Sequence, residues 1–446
     1  MSPPALLESD LIFPEASKSL NATLTELKRT NLSIKNRLRS IKRDADFVCE
    51  VADAYGLPLI ANERCGSWYI PPERKAGSAY FKSTDGHFGQ WGFSLRRLNL
   101  QILEIIGRSG GCIIVDSTRR GKSMPDALSK TVPIWVAVLN RLLFPDQQPY
   151  ELQSPLDVVS ESEHAQIEAR LDGCVREAGG LGLDLDDLRG KLNGRPMSLT
   201  WQRPNDGTPE RKPKIENLLV LCIASNQTST LTAATSDYVQ GAADDPEAWS
   251  LGLDATMFWT HQTELLQSSE DELPALIETL VENACASKTI RASTLIGPTC
   301  NIWIASNATV EVPHSDFDVV VSCSMKPIPV ISKAKGAKYI QLCCASGKVG
   351  SRQLRAELSK ISCLSAMLCA EDRVLVTCEN GTDLSVGTAL ALLCLFYDGN
   401  GTFQGRLEQS INKTLIKQRL SWVMVCMPDA SPSRATLQSV NAFLMG

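Results

Sequence analysis

Apolar residues recur at helical spacing from Leu20 to Val48 (Leu20, Leu24, Leu27, then Ile34, Leu38 and Ile41), which predicts one or two amphipathic helices. A helical stretch from Ser94 to Gly107 leads into the unbroken apolar run Gly111-Cys-Ile-Ile-Val115, the pattern of a buried strand. A polar segment, Asp116 to Lys122, follows, and another helix begins near Ala127. Glu151 to Leu192 reads as helical and charged, whereas Arg203 to Lys214, with three prolines and several charges, reads as an exposed loop. Leu218 to Ala224 and Leu295 to Ala305 have the character of buried strands on either side of a helical region, Glu264 to Ala286. Beyond about Pro313, strands over Val319–Ser322, Tyr339–Cys343 and Val374–Thr377 alternate with helices over Ser351–Cys369 and from Leu384. This order predicts an α/β chain with a large N-terminal α/β domain, 1–309, and a smaller C-terminal α/β domain, 310–446.

At 446 residues the chain exceeds one compact core, which fits that division. With 43% hydrophobic and 21% charged residues it has a globular composition, neither disordered nor fibrous. Met1 to Asp10 lacks a basic region ahead of an apolar one, and runs such as Ala389 to Tyr397 are too short to span a bilayer. A cytoplasmic protein with no membrane partner is expected. The fifteen cysteines are diluted and odd in number, and most sit in apolar stretches, so they read as reduced thiols. No Cys-x-x-Cys pair occurs and His87, His164, His261 and His314 lie far apart, which argues against a structural zinc. A net charge of -5 gives no overall nucleic-acid signal, so RNA affinity has to come from local patches.

One such patch is the first helical region, where Lys28, Arg29, Lys35, Arg37, Arg39, Lys42 and Arg43 surround the apolar positions. Lys35, Arg37, Arg39, Lys42 and Arg43 are candidate RNA contacts, the alternative being a solvated helix packed on the body. Lys82, Asp85, His87 and Trp91 interleave charge and aromaticity; Lys82 and His87 join the RNA candidates, although Trp91 also suits a core and His87 a plain surface.

The segment after the Gly111 strand delivers Ser117, Thr118, Arg119, Arg120, Gly121, Lys122 and Ser123 within one turn, a concentration of donors suited to an anion. Asp116 could hold magnesium or accept a proton; sequence leaves both open, and a turn pairing with surface carboxylates or an RNA phosphate is the competing reading. Asp244 and Asp245, behind Gln240 and Gly241, form a second candidate for magnesium or a general base, or else cap a helix before Trp249. Asp116, Lys122 and Asp244 are the catalytic candidates, and Asp116 and Asp245 the metal ligands.

Near the C-terminus, Arg373 to Ser385 is a buried strand, a polar loop and the start of an apolar helix, a junction that points free N–H groups at one spot. Its spacing resembles the phosphate loop of dual-specificity and other cysteine-based phosphatases, with Cys378 at the nucleophile and Ser385 at the hydroxyl. Leu384 stands where that loop has arginine and Thr377 where it has histidine, so phosphatase chemistry is expected to fail. Gly381, Thr382 and Asp383 complete the loop as a candidate anion site, with Lys348, Ser351 and Arg352 of the segment Ala345–Arg352 supplying the missing charge and a donor; a turn that binds nothing is the alternative.

Three segments together resemble the initiator tRNA ribosyl phosphate transferases: Asn62–Ile70 with Tyr80–Trp91, Val115–Lys122 with Pro125–Thr131, and Asp237–Asp245. The degenerate phosphatase-like C-terminal domain extends the resemblance over nearly the whole chain. It implies transfer of 5-phosphoribosyl from phosphoribosyl pyrophosphate, with Mg2+, to the 2'-hydroxyl of a T-stem adenosine of initiator tRNA, a mark that excludes this tRNA from elongation. The ordinary phosphoribosyltransferase loop carries two adjacent acids where this chain has only Asp116, so no homology with that superfamily is implied. The competing reading is a non-catalytic tRNA-binding protein with a pseudophosphatase module. Oligomeric state is not legible.

Overall fold

A computed structural model describes residues 32–84, 89–119, 121–147, 150–204, 206–207, 216–225, 237–286, 292–310, 317–328, 338–366, 368–405 and 410–446, whose strands sort into two five-stranded sheets. The first contains β1 (Leu59–Asn62), β2 (Lys75–Ala79), β3 (Gly111–Asp116), β4 (Met197–Gln202) and β5 (Asn217–Ile223), ordered β2-β1-β3-β5-β4 with every neighbouring pair parallel. The second contains β6 (Thr294–Leu295), β7 (Ile302–Ser306), β8 (Val319–Cys323), β9 (Lys338–Leu342) and β10 (Val374–Cys378), ordered β6-β7-β10-β8-β9 and parallel except for β6.

Parallel strands need cover on both faces, which is why β3 and β5 are nearly continuous apolar runs. Ile60, Cys112, Ile114 and Leu221 pack on one side with the helices Leu103–Ser109 and Val132–Leu143. Their alternates, Ala61, Ile113, Val115 and Cys222, meet the helices Ile34–Tyr55, Ala255–Thr260, Gln262–Gln267 and Leu273–Ala286. The helix Ile34–Tyr55 starts where the Ser33 side chain accepts from the Asn36 N–H at 3.3 Å and stops at Gly56, whose φ of 61° suits glycine.

In the second sheet the helix Leu384–Phe396 is apolar on every side and buried against β7, β8 and β10 by the helices Gly347–Glu357, Lys413–Cys426 and Arg434–Leu444. Its core is continuous with that of the first sheet, one apolar cluster running from Ile60 and Leu139 to Leu390 and Val440. Polar ties reinforce the seam: Gln418 Nε2 donates to the Gly180 carbonyl at 2.9 Å and Lys417 pairs with Glu177 at 3.1 Å. No helix among the described residues is long and apolar enough to cross a membrane.

Two expectations change. The division placed near residue 310 falls after β7, yet β6 and β7 pair within the second sheet, so the sheets part between Ala286 and Thr294. The helical reading of Glu151 to Leu192 narrows to the helices Glu161–Gly179 and Leu185–Lys191.

The chain runs from β1 to β2 on one side and returns to β3 on the other. At such a reversal the loops leaving the carboxyl ends of the strands diverge and open a crevice. Asn62 ends β1 and Asp116 ends β3, level with Ile223 of β5.

Candidate active site

The crevice is organised around Asp116, which is fully buried. Asn62 Nδ2 donates to its Oδ2 at 2.9 Å, Arg64 reaches it through Nε at 3.4 Å and Nη2 at 3.1 Å, and Cys65 Sγ lies 3.0 Å from Oδ1. The Ser117 N–H donates to the same oxygen at 2.8 Å. Arg64 Nη2 also donates to the Ser117 carbonyl and pairs with Asp244 Oδ1 at 3.1 Å, joining the loops that follow β1, β3 and β5.

Two glycines allow this approach. A Cβ on Gly66 would stand 2.5 Å from the Val115 carbonyl oxygen, and one on Gly241, where φ is +64°, 2.6 Å from that of Thr118. The turn at Gly241 sets the Gly241 carbonyl to accept from the Asp244 N–H at 2.9 Å, and Asp245 continues with a left-handed φ of 49°.

The electrostatics separate the two acids. Asp116 has both oxygens engaged and no exposure, so neither is open to a metal ion or a reacting hydroxyl; the expected metal or base role is corrected to that of a hub. Asp244 keeps 14% of its side chain exposed, and its Oδ1 meets Arg64 off the hydrogen-bond line. Burial raises its pKa above the ordinary aspartate value, opposed by the Arg64 charge and assisted by Asp116. Burial likewise works against the Arg64 charge, but Cys65, Asp116 and Asp244 outweigh it and raise that pKa. Burial and then the neighbouring Asp116 hold the Cys65 thiol well above its usual pKa, as a donor requires.

Arg64 and Cys65 also line an adjoining cleft of about 620 Å³, together with Glu63, Lys75, Tyr80 and Asp245. Asp245 is exposed on its rim, followed by a 3-10 turn that its side chain does not cap. Arg64, Cys65 and Asn62 are not among the residues that the sequence singles out for the site.

The remaining candidates divide by depth. Ser117 and Thr118 are buried, and the Ser117 hydroxyl donates to the Ala224 carbonyl at 2.7 Å, so they build the floor. Arg119, Gly121 and Ser123 are exposed. Lys122 pairs with Asp126 at 2.8 Å, and its carbonyl accepts from Gln240 Nε2 at 3.0 Å, which ties Gln240 to this loop. Arg120 and His87 lie outside the described residues, as do Lys28 and Arg29. Trp91 is core, its indole N–H donating to Glu163 at 2.8 Å, while Lys82 is exposed.

The basic helix is only partly available to RNA. Lys35 Nζ donates to the Ser268 carbonyl at 2.6 Å, and Arg37 donates to the Ala242 carbonyl at 2.8 Å beneath Trp249, so these two brace the body and are corrected as RNA contacts. Lys42 pairs with Asp46, Arg43 lies over Tyr238, and Arg39 is exposed.

In the C-terminal loop, Cys378 Sγ lies 3.1 Å from Ser385 Oγ, a spacing consistent with the expected loop shape. The loop turns on its own exposed Asn380, whose Oδ1 accepts from the Thr382 N–H at 3.0 Å and lies 3.2 Å from Cys378 Sγ. Leu384 is buried, and Gly381 takes a left-handed φ of 73°. Asp383 accepts from the Ser433 N–H at 2.8 Å and the Thr436 hydroxyl at 2.6 Å, so it anchors the helix Arg434–Leu444. Ser351 is buried against Thr436 at 2.9 Å, and cannot be the donor expected at the loop. Lys348 and Arg352 are exposed on the helix Gly347–Glu357.

No group of three or more potential metal-ligating side chains converges among the described residues. Magnesium often binds through one or two carboxylates with substrate phosphates completing its shell, a role that Asp245 fits at the cleft rim.

Residues 27–282, more than half of the chain, match the family model described as the Rit1 N-terminal domain, and residues 338–444 match the Rit1 DUSP-like domain. The chain is 32% identical to the tRNA A64-2'-O-ribosylphosphate transferase of Saccharomyces cerevisiae over 96% of this chain and 95% of that protein. It is 34% identical to an uncharacterised Schizosaccharomyces pombe protein over 92% and 94%. Among solved structures, human DUSP28 covers 35% of this chain and 95% of its own at 15% identity, with a TM-score of 0.27.

Proposed function

The chain belongs to the Rit1 family, and from that premise we propose that it carries 5-phosphoribosyl from phosphoribosyl pyrophosphate to the 2'-hydroxyl of a T-stem adenosine in initiator tRNA. It is a pentosyltransferase acting on tRNA, and we place its work in the cytoplasm. The observation that carries the reading is identity of 32% along almost the whole of a relative named for this transfer. The crevice beneath the cleft supplies groups suited to the chemistry.

The 2'-oxygen attacks C1 of the donor ribose, the bond from C1 to the pyrophosphate oxygen breaks with its electron pair leaving on pyrophosphate, and the hydroxyl proton passes to a base. Asp244 is our assignment for that base, because it is partly exposed and its raised pKa improves its strength as an acceptor. Arg64 holds Asp244 in place and presents its guanidinium to the cleft, where it would stabilise negative charge on the leaving group. Asn62, Cys65 and the Ser117 N–H fix Asp116, which fixes Arg64 in turn. Magnesium, held by Asp245 together with the donor's phosphates, would neutralise the pyrophosphate. Arg119 and Ser123, exposed on the loop that leaves β3, are our candidates for further phosphate contacts, whereas Lys122 is held by Asp126.

The test is transfer of labelled phosphoribosyl from the donor to purified initiator tRNA by the wild-type chain and Asp244→Asn. Transfer by the former and its loss from the latter are expected; tRNA binding without transfer by the wild type would leave a binding protein instead.

A further inference from the structure

The half-buried Arg97 connects the cleft to the C-terminal domain. Its Nη1 donates to the Ala430 carbonyl at 2.6 Å and its Nη2 to Ser431 Oγ at 2.6 Å, while the guanidinium lies 4.8 Å from the ring centre of Tyr80, a residue of the cleft wall. The Ser431 N–H donates to the Thr382 carbonyl at 2.8 Å, which places the degenerate loop beside the same seam. Ser346 donates to Glu379 on that loop and Ser351 meets Thr436, so the helix Gly347–Glu357 borders it too.

Exposed cations flank the residues of this line along the chain: Lys82 follows Tyr80 by two residues and Arg96 adjoins Arg97 on the first domain, while Arg434 follows Ser431 by three and Lys348 follows Ser346 by two on the second. None of the four has an ion-pair partner among the described residues, whereas Lys42, Arg74, Arg108 and Lys191 elsewhere are each paired with a carboxylate. The nearby acids are partly committed: Glu379 accepts from Ser346, and Asp383 from Ser433 and Thr436; Asp429 faces Arg97.

We infer that the acceptor RNA lies across this seam, with its phosphates on Lys82, Arg96, Arg434 and Lys348 and its reacting ribose directed to the cleft past Tyr80. The inference rests on the tRNA reading above. A-form RNA suits the strip because it presents its backbone and 2'-hydroxyls to a protein more readily than its base edges. The phosphatase-like domain then contributes through its outer surface.

The experiment measures binding of unmodified initiator tRNA to the full chain, without donor, over a series of salt concentrations. Arg96→Glu with Arg434→Glu is compared with Arg108→Glu, which makes the same kind of change on the helix that precedes the opposite end of β3. The seam double variant is expected to lose about tenfold or more in affinity and to lower the salt slope by roughly 0.7–0.9 per contact removed. Arg108→Glu should bind as wild type, and all variants should keep wild-type circular dichroism and melting temperature. Unchanged affinity in a folded seam variant overturns the inference, as does a wild-type chain that binds no tRNA. If the wild type transfers phosphoribosyl yet the seam variant binds normally, the surface is wrong and the function stands. Binding that depends on the seam in a chain that transfers nothing reverses that result.

Discussion

The ends of β3 and β10 occupy equivalent places, each at the carboxyl edge of a parallel strand in the middle of its sheet, and each leads into a polar loop. After β3 the loop is tied to buried charges, Asp116, Arg64 and Asp244, beside an open cleft. After β10 it curls on its own Asn380, with Leu384 buried where an anion loop would need a cation. A strand-and-glycine junction therefore does not make an anion site. What separates the two is charge that reaches a cleft: a partly exposed carboxylate and guanidinium at one end, and at the other a carboxylate, Asp383, committed to hydrogen bonds with Ser433 and Thr436.

The comparison breaks most sharply at Arg64. Arg64→Met leaves two buried carboxylates without their cation and should destabilise the chain by about 3–5 kcal/mol, read by urea unfolding, with transfer lost. A variant as stable as wild type would show that the ion cluster does not organise the crevice. Asp244→Asn should keep the fold and slow transfer about 100- to 10,000-fold, the usual range for a general base. In the wild type, the rate falls as pH drops through a pKa above that of an ordinary aspartate, because burial favours the protonated form and only the ionised form accepts a proton. A pH–rate profile showing the same acid limb in Asp244→Asn would assign it to another group.

Gly241→Ala sharpens the contrast in geometry. It forces a side chain into a left-handed φ and against the Thr118 carbonyl, so it should cost about 1–2 kcal/mol or more in thermal unfolding and slow transfer by displacing Asp244. The smallest effect is expected at the other loop. Cys378→Ser should leave transfer within about twofold of wild type, since catalysis by a cysteine thiolate needs a group that lowers its pKa, and phosphate release from aryl phosphates should be absent in both proteins. A thiol-dependent phosphate release would restore the phosphatase reading.

Sequence made the α/β order and the loops after β3 and β5 legible because unbroken apolar runs and local charge density are properties of neighbours in the chain. Arg64 is less legible: it lies two residues after β1, within Asn62–Ile70, but its meaning comes from Asp116, 52 residues away. A charged residue at the end of an apolar strand was the available signal. Arg37 was misread for the opposite reason. Its charge looked free on a helical wheel, while its head reaches a backbone carbonyl 205 residues distant. Ser351 likewise has a small polar side chain that suits a binding loop or a helix contact equally well, and only Thr436 decides between them. The run of β7 is legible as a strand, but its place in the second sheet is not, since an apolar run does not encode its partner.

The apolar cluster that runs unbroken from the first sheet into the second has a consequence for how the molecule comes apart. Two domains joined by a wet interface melt in separate steps, but here neither half can open without exposing the other's interior. Heating should yield a single cooperative transition, and a chain severed between Ala286 and Thr294 should give fragments that stay folded only while they remain together.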